Sequence, residues 1–274
     1  MNFKISVITI NYNDKIGIGN TIKSTVNQVF KNFEFIIIDG GSNDGSVDII
    51  KTNSDKIDYW ISEPDNGVYN AMNKGIKVAK GEYLIFMNSG DSFYNSYTLE
   101  KIVMFLDGKY NIVYGNSAFV RDNVFVKFSY PPSKLSFIHF FNSGLNHQAT
   151  FIKKELFEKY FYYNESYKIA SDWEFFMYAI CMMQEPYLYV NQTICNYDLT
   201  GISSDFSEKS LYAKERNEIL NKHVSFLKDD FDKFKDLGDK RVKNILYIKK
   251  HKIAWKILKS FSKIILLFLP KRQN

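Results

Sequence analysis

Five aspartates stand where a strand pattern stops or a helix pattern starts: Asp39, Asp44, Asp65, Asp91 and Asp172. A carboxylate at such a place can accept from an imide N–H or a hydroxyl, ligate Mg²⁺ or Mn²⁺ as a hard oxygen donor, or take a proton as a general base. The densest setting is Gly81-Glu82-Tyr83-Leu84-Ile85-Phe86-Met87-Asn88-Ser89-Gly90-Asp91, where a turn glycine leads into an apolar run that stops at small and polar residues. A buried parallel strand ending at a site reads this way. Thr9 and Asn11 close an earlier apolar run, and Asp39 closes another before the loop Gly40-Gly41-Ser42-Asn43-Asp44-Gly45-Ser46. Each has a plainer reading: Asp39 and Asp44 as turn formers, Asp65 in Pro64-Asp65-Asn66-Gly67 as a type I turn residue, Asn73 as an exposed helix residue, and Asp172 as an ordinary first-turn helix acid.

The elements that must position these residues follow from periodicity. Lys4 to Tyr12, Glu34 to Asp39, Ile57 to Ser62 and the run after Gly81 predict buried strands. Between them Ile18, Ile22, Val26 and Val29, then Ser46 to Lys51 with Ser46 as N-cap, then Val68, Met72 and Ile76, predict helices. Strands alternating with helices make right-handed βαβ units in a parallel sheet, whose strand ends form one ligand crevice. After a helix over Tyr97 to Asp107 the pattern turns mixed. Strands are expected at 111–115, 123–128, 148–152, 186–190 and 193–197, with a helix over 172–182 capped by Ser171. The fold class is therefore α/β, a mixed, mainly parallel central sheet flanked by helices, with a helical tail. Domain boundaries are expected at 1–204 and 205–274.

Composition excludes several classes. Hydrophobic residues make up 45% and charged residues 24% of 274, a globular balance. The two cysteines, Cys181 and Cys195, sit in no CxxC or Cys/His cluster, so neither a zinc site nor a disulfide framework is expected. With no signal-peptide layout at the start, a reduced, cytoplasmic setting is the expectation. The net charge of +6 belongs to the tail: residues 1–204 carry 18 basic and 21 acidic residues, 205–274 carry 18 and 9. No nucleic-acid motif accompanies that charge, and nucleic acid is not an expected partner. The glycine-rich loop is neither GxGxxG nor a P-loop, which argues against dinucleotide redox chemistry and NTP hydrolysis.

The order of four runs resembles the inverting family 2 glycosyltransferases of GT-A fold. They are Ser6-Val7-Ile8-Thr9-Ile10-Asn11-Tyr12-Asn13, Asp39 to Ser46, Asp65-Asn66-Gly67-Val68-Tyr69-Asn70-Ala71-Met72-Asn73-Lys74-Gly75-Ile76, and Gly81-Glu82-Tyr83. The resemblance spans about Ile5 to Ser204. Asn146-His147-Gln148-Ala149-Thr150-Phe151 and Ala170-Ser171-Asp172-Trp173-Glu174 look like the branch that builds bacterial surface polysaccharides. The resemblance implies a nucleotide-sugar donor, UDP-linked, and transfer of a hexosyl or N-acetylhexosaminyl group to a glycan or lipid-linked hydroxyl. Thr9, Asn11 and Asp39 would hold the nucleoside, with Asp39 facing the base. Asp44, Asp65, Asn73, Asn88 and Ser89 would shape the donor pocket. Asp91 would reach a divalent Mg or Mn ion, and Asn88 and Gly90 stand where the family usually has carboxylates. Asp172 would be the base, with Glu174 pointing elsewhere. His147 and Gln148 would meet acceptor or diphosphate, and Gly201 and Ser203 would belong to a closing lid.

In the tail, Lys256, Lys259 and Lys263 share one helix face, with Trp255, Leu258, Ser262 and Ile265 nearer the opposite one. Such a helix can lie on an anionic membrane surface, here the inner face of the cell membrane, or pack on its own domain or a partner subunit, as in a homodimer. Two further function classes compete: a non-catalytic nucleotide-sugar-binding or assembly subunit, and a sugar-nucleotide nucleotidyltransferase. The second lacks a basic phosphate loop after the first strand.

Overall fold

In the computed structural model, residues 4–122, 124–200, 209–230 and 239–270 are described. The chain forms two compact units, one running to His223 and one from Val224. The first unit therefore extends past the boundary expected at 204.

The first unit is built on one nine-stranded sheet. Its parallel half holds β1 (Ile5–Asn11), β2 (Phe33–Asp39), β3 (Tyr59–Ser62) and β4 (Tyr83–Phe86) in the order β3-β2-β1-β4. The connecting helices are α1 (Lys15–Val26), α2 (Ser46–Thr52) and α3 (Val68–Val78). β1, β2 and β4 are buried throughout except at Phe33, as the unbroken apolar runs require of strands covered on both faces. Register places Asn11 beside Asp39, so the two polar strand ends sit side by side. At the opposite end, Gly81 approaches β1 so closely that a Cβ there would lie 2.5 Å from Ser6 Oγ. The buried Glu34 carboxylate accepts from Ser6 Oγ and from the Gly81 N–H, fixing the turn that launches β4.

The mixed half continues with β5 (Ser92–Phe93), β6 (Ile112–Arg121), β7 (Val124–Ser129), β8 (Thr150–Lys153) and β9 (Tyr187–Asp198). β8 runs antiparallel to both β4 and β6, while β9 runs parallel to β6 and antiparallel to β5. The two strands expected at 186–190 and 193–197 are one strand with register shifts opposite Asn116. Of the remaining helices, α4 (Thr98–Val103) is shorter than expected and α5 (Phe137–Asn142) lies in a stretch without helical periodicity. α6 (Glu155–Lys159) and α7 (Ser171–Met177) follow, and a π-helical turn over Tyr178–Met182 continues α7. α1 stops at Asn27, which leaves Val29 exposed.

Helix α8 (Lys209–Val224) explains why the first unit runs on to His223. The Glu215 carboxylate accepts from the N–H groups of Lys168, Ile169 and Ala170, just ahead of α7. Arg216 donates to the carbonyls of Phe140 and Phe141 and lies over the Trp173 ring. Glu174, fully buried, accepts from Lys222 and His223. Ser171, expected as the cap of α7, is its first residue, and its hydroxyl accepts from the Asn164 N–H.

The second unit contains α9 (Lys240–Lys249) and α10 (Lys252–Leu266), which pack on each other. On α10, Ala254, Trp255, Leu258 and Ser262 are half-buried. Ile253, Ile257, Phe261 and Ile264 form an exposed apolar stripe, and Ile265, expected with Trp255, is exposed as well. Among the described residues no helix is long and apolar enough to cross a membrane.

Candidate active site

The strand ends β1, β2 and β4 do converge on one edge, but several residues there face the protein. Asp39 is fully buried. Its Oδ1 accepts from Asn11 Nδ2 (2.7 Å) and Ser42 Oγ (2.6 Å), and its Oδ2 from Ser62 Oγ (2.6 Å) and the N–H groups of Ser42 and Gly41. Burial alone would raise its carboxyl; the bonds from Ser42, Ser62 and Asn11 outweigh it and hold the carboxyl below the ordinary range. Asp39, expected to face a base, thus shapes the loop from beneath, because five donors already fill its lone pairs. Asp44 likewise spans two helix starts, accepting from Ser46 N–H and Oγ and from the Lys15 N–H. Thr9 is buried and donates to the Met87 carbonyl, tying β1 to the end of β4. Asn73 is buried too: it donates to the Tyr163 carbonyl and to Glu165, and accepts from the Tyr163 N–H. Thr9 and Asn73 therefore build the walls of the edge instead of lining it, while Asp44 stays exposed.

What faces outward is different. Tyr12, directly after β1, is 67% exposed. A Cβ built on Gly40 would lie 2.6 Å from Asp65 Oδ2 and 3.1 Å from the Tyr12 ring, so all three residues share a rim. A flat aromatic face and a carboxylate across a bare backbone suit a planar base or a polyhydroxylated ring. Tyr12 was missed from sequence; its signal is an aromatic placed beyond the end of a strand that is otherwise buried.

Asp91 turns inward. It is 4% exposed, and its Oδ1 accepts from the Asp198 N–H (2.8 Å) while Oδ2 accepts from Gln148 Nε2 (2.9 Å). Burial pushes its carboxyl up to about 7, more than the bonds from Asp198 and Gln148 pull it down. The expectation that Asp91 reaches a cation does not fit: its oxygens are aimed at β9 and at the turn before β8. Gly90 offers another place. Its φ is +93°, and a Cβ there would lie 3.3 Å from Asp198 Oδ2 and 3.7 Å from Asp14 Oδ2. Asp14 caps α1 through the Gly17 N–H and accepts from Ser89 Oγ. Among the described residues no three His, Cys, Asp or Glu side chains converge as a metal cluster. The cradle over Gly90 nevertheless presents two carboxylate oxygens from separate elements, a donor set that fits a hard cation bringing its own phosphate ligands.

The fourth feature joins β4 to α7. His147 opens a short 3₁₀ turn that takes in Gln148 and Ala149, the first two residues of the strand expected at 148–152, and places Nδ1 2.8 Å from Asp172 Oδ2. Its Nε2 lies 3.2 Å from Asn88 Nδ2. Asp172 Oδ1 accepts from Tyr69 OH (2.9 Å) and the Trp173 N–H (2.8 Å). Burial, then the Asp172 charge, holds the Tyr69 hydroxyl well above its ordinary range, so it stays a donor. The side chains of His147 and Asp172 are 14% and 16% exposed, enough to meet a ligand from the crevice. Glu174 faces α8, as expected from its offset along the helix. Three buried amide oxygens, Asn11 Oδ1, Asn88 Oδ1 and Gln148 Oε1, have no donor from the protein. Buried acceptors are seldom left so, and these three can take N–H or O–H groups of a bound molecule. Gly201 and Ser203 lie outside the described residues.

Comparison with known proteins agrees with this layout. The family model for Glycosyl transferase family 2 matches residues 6–171. An uncharacterized glycosyltransferase of Mycobacterium tuberculosis is 33% identical over 219 residues, covering 77% of this chain and 81% of the relative. A PGL/p-HBAD biosynthesis glycosyltransferase of Mycobacterium bovis is 28% identical over 198 residues, covering 69% and 74%. In fold the chain resembles S. aureus TarS in complex with UDP-GlcNAc (TM-score 0.60, 19% identity, 90% of this chain and 79% of that one). It also resembles the mannosyltransferase PcManGT from Pyrobaculum calidifontis in complex with GDP-Man and Mn²⁺ (TM-score 0.62, 14% identity, 96% and 80%). A family match over more than half the chain, carried on a mostly parallel sheet with its polar strand ends gathered at one edge, leads to one conclusion: this chain belongs to glycosyltransferase family 2.

Proposed function

We propose that the chain transfers a hexosyl or N-acetylhexosaminyl group from a UDP-sugar to a hydroxyl of a glycan or lipid-linked acceptor, with inversion, in the building of a bacterial surface polysaccharide. The observation that carries this reading is the pairing of Asp172 with His147 at the same edge as the Asp39 loop. It sets a proton-accepting group beside the crevice where a nucleotide sugar binds in this fold. The base and ribose would lie against Tyr12, Gly40 and Asp65, over the loop that Asp39 and Asp44 hold. Asn11, Asn88 and Gln148 would offer their free amide oxygens to donor hydroxyls.

Inversion needs a single displacement in which the acceptor hydroxyl is deprotonated as it attacks. Asp172 and the imidazole it holds supply that step. A divalent cation would be held by Asp198, with Asp14 beside it, and when bound it supplies charge stabilisation to the leaving diphosphate. Helix α8 would keep Asp172 in place, with Glu215 holding residues 168–170 ahead of α7 and Arg216 lying over Trp173.

The tail fits a peripheral position on the cytoplasmic face of the cell membrane, where a lipid-linked acceptor is presented.

A panel of nucleotide sugars, screened by thermal shift with and without Mn²⁺ and then by product analysis on lipid-linked acceptors, tests the reading. Stabilisation by UDP-sugars with release of UDP and an anomerically inverted product is expected. Stabilisation without turnover on any acceptor or water would turn the reading toward a binding subunit. Pyrophosphate-dependent formation of a nucleotide sugar would make the protein a nucleotidyltransferase.

A further inference from the structure

The Gly90 cradle opens onto a trough that the donor pocket does not use. One hollow of about 460 Å³ has Gly90, Ser92, Val120, Phe125, Phe128 and Asn196 among its walls. A neighbouring hollow of about 270 Å³ is walled in part by Asn95, Lys101, Asn116, Tyr130 and Gln192. Tyr94 lines both.

Register explains how the first set of side chains shares one face. Phe128, Ala118, Asn196 and Ser92 lie side by side across β7, β6, β9 and β5. The next row on that face is Phe125, Val120 and Asp198, whose carboxylate reaches over Gly90. Phe125 and Phe128 are three apart and would fall on opposite faces of a regular strand. Val126 is an extra residue opposite the Phe119–Val120 step, and this bulge turns Phe125 to the Phe128 side, with ring centroids 4.8 Å apart. The Tyr94 and Tyr130 rings lie 6.3 and 5.8 Å from that of Phe128. All four rings are exposed, from 37% at Phe128 to 65% at Tyr130.

The other walls are amides and hydroxyls held in place. Asn196 Nδ2 donates to Ser92 Oγ and to the Phe93 carbonyl. Buried Asn116 donates to Asn191 Oδ1 and accepts from Tyr189 OH. Where the β6–β9 register shifts between Tyr114 and Asn116, Asn191 and Gln192 are exposed. Lys101 is the single ionised side chain among the lining residues. Flat rings facing neutral amides suit a sugar chain, whose C–H faces stack on aromatics while its hydroxyls exchange hydrogen bonds. A lipid chain would strip water from the amides and return no bonds.

We propose that this trough binds a neutral oligosaccharide, the glycan of the acceptor, with its sugar rings on Phe125, Phe128 and Tyr94; this rests on the transferase reading above. From Val120 to Asn116 it follows β6 for about 13 Å, a length that suits an oligosaccharide better than a single sugar. Its Gly90 end adjoins the cradle assigned above to the cation and diphosphate, which brings the end of the chain to the donor.

The experiment uses the full chain without donor. Neutral oligosaccharides of glucose, galactose, mannose and N-acetylglucosamine are titrated by calorimetry. At least one should bind, and Phe125→Ala and Phe128→Ala should each weaken it by about 5-fold or more. Both side chains are exposed, so the variants should fold, and UDP binding should match the parent in each. Phe128→Tyr keeps a ring and should keep the affinity, while Gln192→Ala on the amide wall should lower it. Failure of every oligosaccharide to bind, or equal affinity in the parent and both alanine variants, overturns the proposal. A parent that self-associates in sedimentation, becomes monomeric in Phe128→Ala and binds no sugar assigns the face to a second copy, and overturns it too. Once an acceptor is turned over, its KM should rise in both alanine variants with kcat held; an unchanged KM overturns the acceptor role. A parent that binds sugar through these rings but turns over no donor fails the transferase reading instead, and the trough stands as a glycan site.

Discussion

Gln148 donates to Asp91 Oδ2 at 2.9 Å, so the polar residue before β8 grips the carboxylate that ends the segment after β4. With Asp198 N–H on the other oxygen, Asp91 fastens β4, β8 and β9 together from inside. That makes it a structural carboxylate held in a dry place, and the consequences are measurable.

Burial raises the Asp91 carboxyl to about 7, whereas an unfolded chain ionises it near pH 4. The folded state therefore binds a proton that the unfolded state has released. Stability from this group is present in full below about pH 4, falls as pH rises, and is gone above about pH 7. Asp91→Asn does not titrate and keeps an acceptor for the Asp198 N–H, while Gln148 can turn its unpartnered Oε1 toward the new amide. Between pH 4.5 and 7.5 the parent should lose on the order of 3 kcal/mol relative to Asp91→Asn. Urea unfolding at both pH values measures this, and parallel changes in the two proteins would show Asp91 ionised throughout.

The Gly90 cradle separates two carboxylates by role. Asp198→Asn should weaken Mn²⁺-dependent binding of nucleoside diphosphate by about 10-fold or more and leave metal-free binding unchanged. Calorimetry with and without Mn²⁺ reads both. Equal loss in the two conditions would mean that Asp198 meets the nucleotide or the fold and not the cation.

Asn73 pins Tyr163 by both its N–H and its carbonyl. Asn73→Ala strands these buried groups at roughly 1–3 kcal/mol each. Thermal melting should drop by about 5–10 °C for a unit of this size. Turnover should fall more than donor affinity, because residues 163–170 lead into Asp172. A fall confined to donor affinity would place Asn73 in the pocket after all.

The exposed stripe on α10 lies beside Lys256, Lys259 and Lys263. At about 1 kcal/mol per lysine near an anionic surface, vesicles containing phosphatidylserine should bind the full chain on the order of 100-fold more tightly than neutral ones. Protein ending before Lys240 should lose that preference in flotation. Equal flotation of both forms would assign the stripe to protein contacts.

The amino-acid sequence by itself determined the order of elements, the parallel half of the sheet and the edge where the polar strand ends gather. Those features follow from local patterns: apolar runs of strand length, helical spacing between them, and polar residues where each run stops. It also marked Asp172 and His147, 25 residues apart, without showing that they touch. Only the tertiary structure decided which way each polar side chain points. Asp39, Thr9, Asn73 and Asp91 all sit at the expected edge, yet their partners come from distant segments that draw them inward. Tyr12, one residue past β1, points outward, and β9 and the cap of α1 bring Asp198 and Asp14 together over Gly90. Local sequence specifies where a side chain is attached; its direction and its protonation depend on burial and on donors supplied by elements far away along the chain.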